Sequence, residues 1–185
     1  MAANVMPSPS PRAYDVQGVR KDFPILSRQV HGKTLVYLDS AASSQRPIQV
    51  IEAVDRYEKL SHSNVHRGVH ALSQEATEAF EGARDRTRRF INARSTREII
   101  FTRGTTEGVN LVAQSWVRSR LGKGDEILIT ALEHHANIVP WQIVCEQVGC
   151  TLKVAPIDKR GELIFDKFLE LLSPRTKLVA AAHVS

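Results

Sequence analysis

The sequence has little cysteine and no long hydrophobic run. Among its 185 residues only Cys145 and Cys150 are cysteines, and their spacing fits neither a C-x-x-C redox pair nor half of a zinc site. A disulfide framework is thereby excluded and a reducing compartment is favoured, so we expect a cytoplasmic protein. No apolar segment approaches the roughly 20 residues of a membrane helix, so a membrane is not an expected partner.

The sequence also lacks a concentrated block of positive charge. Its 25 basic residues exceed its 20 acidic residues and give a formal net charge of +5, but the basic residues are scattered along the chain. The densest run, at residues 84–89, is interrupted by Asp85. This pattern is typical of a solvated helix face, so we expect no nucleic-acid partner.

The first 14 residues differ from the rest of the chain. They contain Pro7, Pro9 and Pro11 interleaved with serines and lack the apolar region of a secretory signal. We therefore predict a disordered tail at residues 1–14, followed by one domain at residues 15–185.

Short apolar runs alternate with helical patterns from residue 15 onward, which predicts an α/β fold with a mostly parallel sheet and flanking helices. Strands are predicted at 35–38, 98–102, 126–130, 151–157 and 177–184, and helices at 47–60, 73–91, 105–118, 137–148 and 164–172. The last strand reaches almost to Ser185. Because such strands need neighbours on both edges, we expect the domain to be incomplete at its C-terminus.

A strand-to-helix turn at residues 101–108 offers a binding site for a phosphate. It delivers Gly104, Thr105 and Thr106 to the start of a predicted helix. First-turn amides have no partners within the helix and lie at the positive end of the helix dipole, so they bind anions, and threonine hydroxyls add donors. On the residues alone, the alternative is that Thr105 is an ordinary N-cap without a ligand.

A pair of histidines, His134 and His135, follows the strand predicted at 126–130. Ligands of open α/β sheets bind at this end of the strands. An imidazole here can stack on a flat aromatic ligand or transfer protons near neutral pH, although a structural role is the alternative. Adjacent histidines point apart on a helix, so they do not form the metal pair of an H-E-x-x-H motif.

A third histidine group, His62, His66 and His70, has a spacing that would align three imidazoles on one helix face and invite zinc or nickel. Asn64 and Gly68 disfavour a helix across this segment, and a loop destroys the alignment. We therefore expect no metal site.

Together these segments resemble the SUF-type (SufS-like) cysteine desulfurases, which are class V aminotransferase relatives with the fold-type I architecture of pyridoxal-phosphate (PLP) enzymes. The resemblance spans nearly everything after the tail. It rests on the strings DFPIL at 22–26, YLDSAA at 37–42, VHRGVH at 65–70, FINA at 90–93, RGTTEG at 103–108 and EHHANIVPW at 133–141.

The resemblance implies PLP as cofactor and a role for residues at both motifs described above. Thr105 and Thr106, with their backbone amides, would hold the cofactor phosphate. His134 would stack on the pyridine ring and act in catalysis.

For the substrate, the resemblance implies a second group of residues. Ala41 and Ala42 would line the pocket for L-cysteine. His66 and Arg67 would lie on a loop that reaches towards the active site of the partner subunit in a homodimer.

The activity implied for the parent enzyme is conversion of L-cysteine to L-alanine. The sulfur would be carried as an enzyme persulfide to a SufE- or SufU-type acceptor for iron-sulfur cluster assembly. A selenocysteine lyase or another class V aminotransferase-like enzyme is the close alternative, and a non-catalytic binding module is the alternative of another class.

The chain also departs from the family pattern. The Schiff-base lysine of the family follows a Ser-x-His string, and the nucleophilic cysteine lies on a late loop, both beyond Ser185. Cys145 and Cys150 do not occupy the nucleophile's place. We therefore expect an N-terminal fragment that is inactive alone.

Overall fold

The computed structural model describes residues 14–184. The predicted tail at residues 1–14, except for Tyr14, lies outside this range, as does Ser185. The chain divides into two units, residues 1–99 and 100–185, and each is described by itself. Within the described range, no helix is both long enough and apolar enough to span a bilayer.

The first unit consists mainly of helices. Helix α1 is short, the two-residue strands β1 and β2 pair antiparallel, and two longer helices follow the extended segment after β2. The elements are α1 (Val16–Lys21), β1 (Gln29–Val30), β2 (Lys33–Thr34), α2 (Ile48–Leu60) and α3 (Ala71–Phe90). The prediction of a helix at 47–60, with Pro47 at its start, and of a break at 62–70 is confirmed.

Helix α3 begins differently from the prediction. The helical pattern from residue 73 predicts Ser73 as the cap, but His70 is the N-cap, and its imidazole accepts the backbone N–H of Ser73. Ser73 is instead buried inside the first turn, where its hydroxyl donates to the carbonyl oxygen of Asn64 at 2.7 Å and accepts the N–H of Gly68 at 2.9 Å. Ser73 therefore fastens the preceding loop to the helix.

The predicted core face of α3 is only partly correct. Ala76 is buried, but Ala79 and Ala83 are exposed and Phe90 is 90% exposed. Helical spacing shows which residues share a face, but only a second packed element decides whether that face is buried.

Two predicted strands are absent from the described residues. Residues 35–38 follow β2 without a ladder, and Leu38 is 91% exposed. The segment at residues 98–102 begins at the last residue of a 3₁₀ turn, Thr96–Glu98, and also forms no ladder. An extended apolar segment becomes a strand only when another segment supplies hydrogen-bond partners, and none between residues 14 and 184 does so here.

The second unit contains a three-stranded parallel sheet in the order β4-β3-β5. Its strands are β3 (Glu126–Thr130), β4 (Thr151–Ala155) and β5 (Thr176–Ala180). All five residues of the central strand β3 are buried. The prediction for β3 is confirmed, whereas the two edge strands are shorter than predicted because pairing ends where β3 ends.

The helices of the second unit are α4 (Thr105–Val112), α5 (Arg118–Arg120), α6 (Val139–Val148) and α7 (Phe165–Leu171). A π-helical segment, Ala113–Val117, joins α4 to α5. A 3₁₀ turn, His135–Asn137, precedes α6.

The buried face of α4 and the π-helical segment differs from the predicted one. Helical spacing predicts burial of Val109, Leu111, Val112 and Trp116. Val109 is partly buried against the core, but the other three are exposed. Ala113 and Val117 are fully buried instead, and they pack with Trp141 and Val144 of α6 against β3. Ala113 and Val117 are four residues apart and therefore share one helix face, which is the face that meets α6 and β3.

Candidate functional site

Helix α4 begins directly after a glycine whose backbone conformation excludes other residues. Gly104 has φ +151° and ψ 179°, a combination that is essentially restricted to glycine. No side chain caps the first turn of α4, and Thr105 and Thr106 are exposed there. The first turn of α4 therefore has exposed threonines and no side-chain cap, and its role as an anion site stays a prediction.

The two charged side chains beside this helix start, Glu107 and Arg103, pair with each other. Glu107 lies in the first turn, but its carboxylate is bound by Arg103, whose backbone N–H donates to it at 2.6 Å and whose Nε lies 3.5 Å away. The Arg103 guanidinium is almost fully exposed. The carboxylate of Glu107 is thereby held at Arg103, and the two opposite charges offset each other.

The second predicted residue, His134, lies on the loop that follows β3. It is the N-cap of the 3₁₀ turn, and its Nδ1 accepts the backbone N–H of Ala136 at 3.1 Å. The ring is exposed and lies edge-on to the ring of His135, with centroids 6.2 Å apart and an interplanar angle of 89°. A neutral His134 therefore carries its proton on Nε2.

The two predicted cofactor groups belong to neighbouring elements. Helix α4 contacts the 3₁₀ turn at His135–Asn137, so the helix that starts with Thr105 and Thr106 packs beside the turn capped by His134. Both lie in the second unit, where the loop follows the carboxyl end of β3. This is the side of an open α/β sheet on which ligands bind.

A buried carboxylate supports the His134 loop. Glu133 accepts hydrogen bonds from the Thr130 hydroxyl at 2.6 Å, the Asn137 side-chain amide at 2.7 Å and the backbone N–H of Ala182 at 3.0 Å. Burial alone would raise the pKa of Glu133, but these hydrogen bonds outweigh it and hold the pKa below its ordinary value. Glu133 is thus ionised near neutral pH.

The predicted substrate residues Ala41 and Ala42 lie in the first unit, on an exposed turn. The turn is closed by the N–H of Ala42, which donates to the carbonyl oxygen of Asp39 at 3.2 Å. The Tyr37 hydroxyl lies 2.5 Å from the Ser43 carbonyl oxygen, to which it donates. Tyr37 therefore fixes the shape of the turn.

His66 and Arg67 lie on the loop between α2 and α3, also in the first unit. His66 has a left-handed backbone with φ +61°. Its N–H donates to the Thr77 hydroxyl at 3.0 Å, and its Nε2 lies 3.0 Å from a Glu81 carboxylate oxygen. The His66 side chain is therefore held against α3, while Arg67 is exposed.

The other histidines of this loop have separate surroundings. His62 lies 3.8 Å from the Glu58 carboxylate, and His70 caps α3. In residues 14–184 no cluster of three or more histidine, cysteine or acidic side chains could hold a metal ion.

Sequence reasoning does not assign roles to several residues that shape these loops. Glu133 and Asn137 are part of a recognised string, but their burial and partners depend on packing. Tyr37 and Ser73 have the pattern of strand and cap residues, whereas both use their hydroxyls to fix a loop. A polar residue shortly after a strongly apolar strand is the one available signal for Glu133.

Comparison with known proteins gives one matching family model, described as "Aminotransferase class-V", over residues 36–185. A cysteine desulfurase of Cronobacter sakazakii is 51% identical over 173 residues, which cover 94% of this chain and 43% of that protein. A probable cysteine desulfurase of Halalkalibacterium halodurans is 55% identical over 167 residues, which cover 90% of this chain and 41% of that protein. The chain thus spans about two fifths of the length of these relatives.

A solved structure agrees with these matches. The apo structure of a cysteine desulfurase from Thermococcus onnurineus NA1 is similar with a TM-score of 0.81 and 38% sequence identity, and the match covers 92% of this chain and 40% of that chain. The α/β fold with a parallel sheet and helices is therefore that of a solved enzyme structure.

Proposed function

Because the chain belongs to the class-V aminotransferase family, we propose that it forms the N-terminal part of a PLP-dependent cysteine desulfurase. The proposal is carried by one observation of the structure. Helix α4, whose uncapped first turn contains Thr105 and Thr106, contacts the 3₁₀ turn that His134 caps. Sequence identities of 51% and 55% to proteins named as cysteine desulfurases support the same activity.

The residues at the start of α4 fit the phosphate of PLP. Thr105 and Thr106 are exposed and supply amide and hydroxyl donors in a first turn that no side chain caps, and Gly104 permits the backbone to make the turn. The positive end of the helix stabilises a bound dianion. In this proposal the two threonines anchor the cofactor.

His134 fits the position beside the cofactor ring. Its bond to the N–H of Ala136 fixes the imidazole and leaves the Nε2–H available. In the proposed enzyme the ring face stacks on the pyridine ring, and the imidazole transfers protons near neutral pH. When bound, PLP supplies the electron sink that permits cleavage of the bond between carbon and sulfur.

The overall reaction balances without an added oxidant. The C–S bond of L-cysteine breaks, an S–S bond to an enzyme thiol forms, and the thiol proton ends on the substrate carbon, giving L-alanine and an enzyme persulfide. Cys145 is buried beside β3, which supports a different cysteine as the persulfide carrier.

We extend the proposal to a SUF-type enzyme that delivers sulfur to a SufE- or SufU-type acceptor for iron-sulfur cluster assembly. The strings at residues 37–42, 65–70 and 133–141 support this assignment. The proposed enzyme is a cytoplasmic homodimer, in which Ala41 and Ala42 contact L-cysteine and His66 and Arg67 serve the partner's active site.

The test of the proposed function is PLP binding to the chain and to a Thr105→Val, Thr106→Val double variant, followed by fluorescence and by calorimetry. Each hydroxyl donates a charge-assisted hydrogen bond, so we expect binding to weaken by roughly 10- to 100-fold. Thr151→Val is the matched control, because Thr151 is exposed at the opposite end of the sheet. Equal binding by the double variant and the control would show that this is not the phosphate site.

A further inference from the structure

The carboxylate of Glu133 joins two loops at the ligand side of the sheet. Glu133 is only 8% exposed and follows the central strand β3. Its two oxygens lie 3.0 Å and 3.1 Å from the backbone nitrogen of Ala182, which is 49 residues further along the chain and follows the edge strand β5. A single side chain therefore holds the ends of two neighbouring strands in register.

The groups around Glu133 are hydrogen-bond donors, so both of its carboxylate oxygens must act as acceptors. The indole N–H of Trp141 donates to the Asn137 side-chain oxygen at 2.9 Å, so the Asn137 amide nitrogen is the atom that faces Glu133. The N–H of Ala182 is also a donor only. The Thr130 hydroxyl is the one partner that can reverse its role, since hydroxyls donate and accept.

We propose that Glu133 is a positioning residue for His134. Its carboxylate holds the loop on the side of β3 and β5, while Asn137 holds the end of the 3₁₀ turn, so that His134 lies on a segment fixed on both sides. This inference rests on the proposed function, in which His134 contacts the cofactor ring. Glu133 itself touches neither the cofactor nor the substrate.

A purely structural role would predict general destabilisation, so the test needs local readouts. In Glu133→Ala the Ala182 amide loses a charge-assisted bond, and we expect its hydrogen exchange to accelerate roughly 10- to 100-fold relative to the amide of Ile129 in β3. Imidazole nitrogen spectra of the same variant should show that His134 loses its preference for the Nε2–H tautomer.

Two variants serve as controls. Glu126→Gln alters the buried carboxylate at the opposite end of β3 and should leave both readouts unchanged. Glu133→Gln can still accept from Asn137 and Ala182 if its amide donates to the Thr130 hydroxyl, so it should restore most of the normal signal. If Glu133→Ala does not fold, the part of the Ala182 protection that Glu133→Gln fails to restore must still exceed the effect of Glu126→Gln, and equal effects would overturn the proposal.

A double-mutant cycle with PLP binding tests whether Glu133 acts through His134. Each of Glu133→Ala and His134→Ala should weaken PLP binding, and the double variant should bind no more weakly than His134→Ala. Additive losses, or unchanged Ala182 and His134 signals in Glu133→Ala, would overturn the proposal. If His134→Ala binds PLP normally, the stacking role fails, whereas the exchange and tautomer readouts still decide whether Glu133 positions the loop.

Discussion

Lys153 of β4 lies 2.7 Å from the carboxylate of Glu126, the first residue of β3. The carboxylate also accepts the Ser173 hydroxyl at 2.7 Å and pairs with the Arg175 guanidinium at 2.8 Å. All three strands of the sheet, or the segments leading into them, thus converge on one acid. Glu126 links the strands at the amino end of the sheet, and Glu133 links the ends of β3 and β5 at the carboxyl end.

The Glu126 cluster predicts acid sensitivity. Hydrogen bonds from Lys153 and Ser173, together with Arg175, lower the pKa of Glu126 from 4.5 to about 2. Because the pKa of Glu126 is lower in the folded state than in the unfolded state, the ionised carboxylate stabilises the fold. This contribution is complete above about pH 4.5 and is lost as the pH falls from 4.5 towards 2. Thermal unfolding followed across this range should show a falling midpoint, and Glu126→Gln should reduce the slope.

The matched control for this slope is Glu162→Gln. Glu162 pairs with Arg160 at 2.8 Å on an exposed part of the second unit, where ion pairs contribute little. The unfolding midpoint of Glu162→Gln should depend on pH as steeply as that of the unchanged chain. An equally steep dependence in Glu126→Gln would contradict the prediction.

Gly104→Ala should weaken phosphate binding because it strains the backbone before α4, without adding a steric clash. An added Cβ meets no atom within 4 Å, but the φ of +151° strains any other residue at a cost of about 1–3 kcal/mol. PLP binding measured by calorimetry should fall accordingly. Gly108→Ala is the control: it lies within α4, its Cβ makes an ordinary contact, and alanine favours a helix, so binding should persist.

His134→Ala should damage the proposed enzyme more than His135→Ala. His134 caps the turn and has a fixed ring, whereas His135 is the next exposed residue. In a protein that continues past Ser185 with the lysine and cysteine of the family, PLP retention and alanine formation under saturating cysteine should both fall. Loss of one general acid-base step lowers the rate by roughly 10²- to 10⁴-fold. A larger effect of His135→Ala would reverse the assignment.

Cys145 should resist alkylation in the folded chain. Burial raises the pKa of its thiol to about 12, with a further contribution from Cys150. Since only the thiolate reacts, iodoacetamide at mildly alkaline pH should modify Cys145 roughly 10³-fold more slowly than a free cysteine. Peptide mass spectrometry can follow each cysteine, and denaturant should abolish the protection. Rapid labelling of Cys145 in the folded chain would contradict this result.

The 185-residue chain alone should not release alanine and sulfide from cysteine faster than free PLP does. None of its lysines follows a Ser-x-His string, and neither Cys145 nor Cys150 occupies the place of the family's nucleophilic cysteine. The Schiff-base lysine and the cysteine that would accept sulfur are therefore both missing from this chain. Alanine quantified over time, with and without the chain, measures this directly. A clear cysteine-dependent excess would refute the expectation.

Local sequence determined the elements whose identity depends on neighbouring residues. The apolar run at β3, the periodic pattern of α2 and the glycine before α4 each predict the observed structure because strand, helix and turn preferences act over a few residues. The strings around Thr105 and His134 also locate the candidate site, since each string is continuous in the chain. The roles of these residues stay predictions.

Only the tertiary structure decided which faces are buried and which distant groups meet. Spacing could not show that Ala113 and Val117 are buried while Leu111 and Trp116 are exposed, because burial depends on which face packs against α6 and β3. It also could not pair Glu133 with Ala182, 49 residues away. Burial and long-range hydrogen bonds arise from the packing of separate segments, which no local pattern encodes.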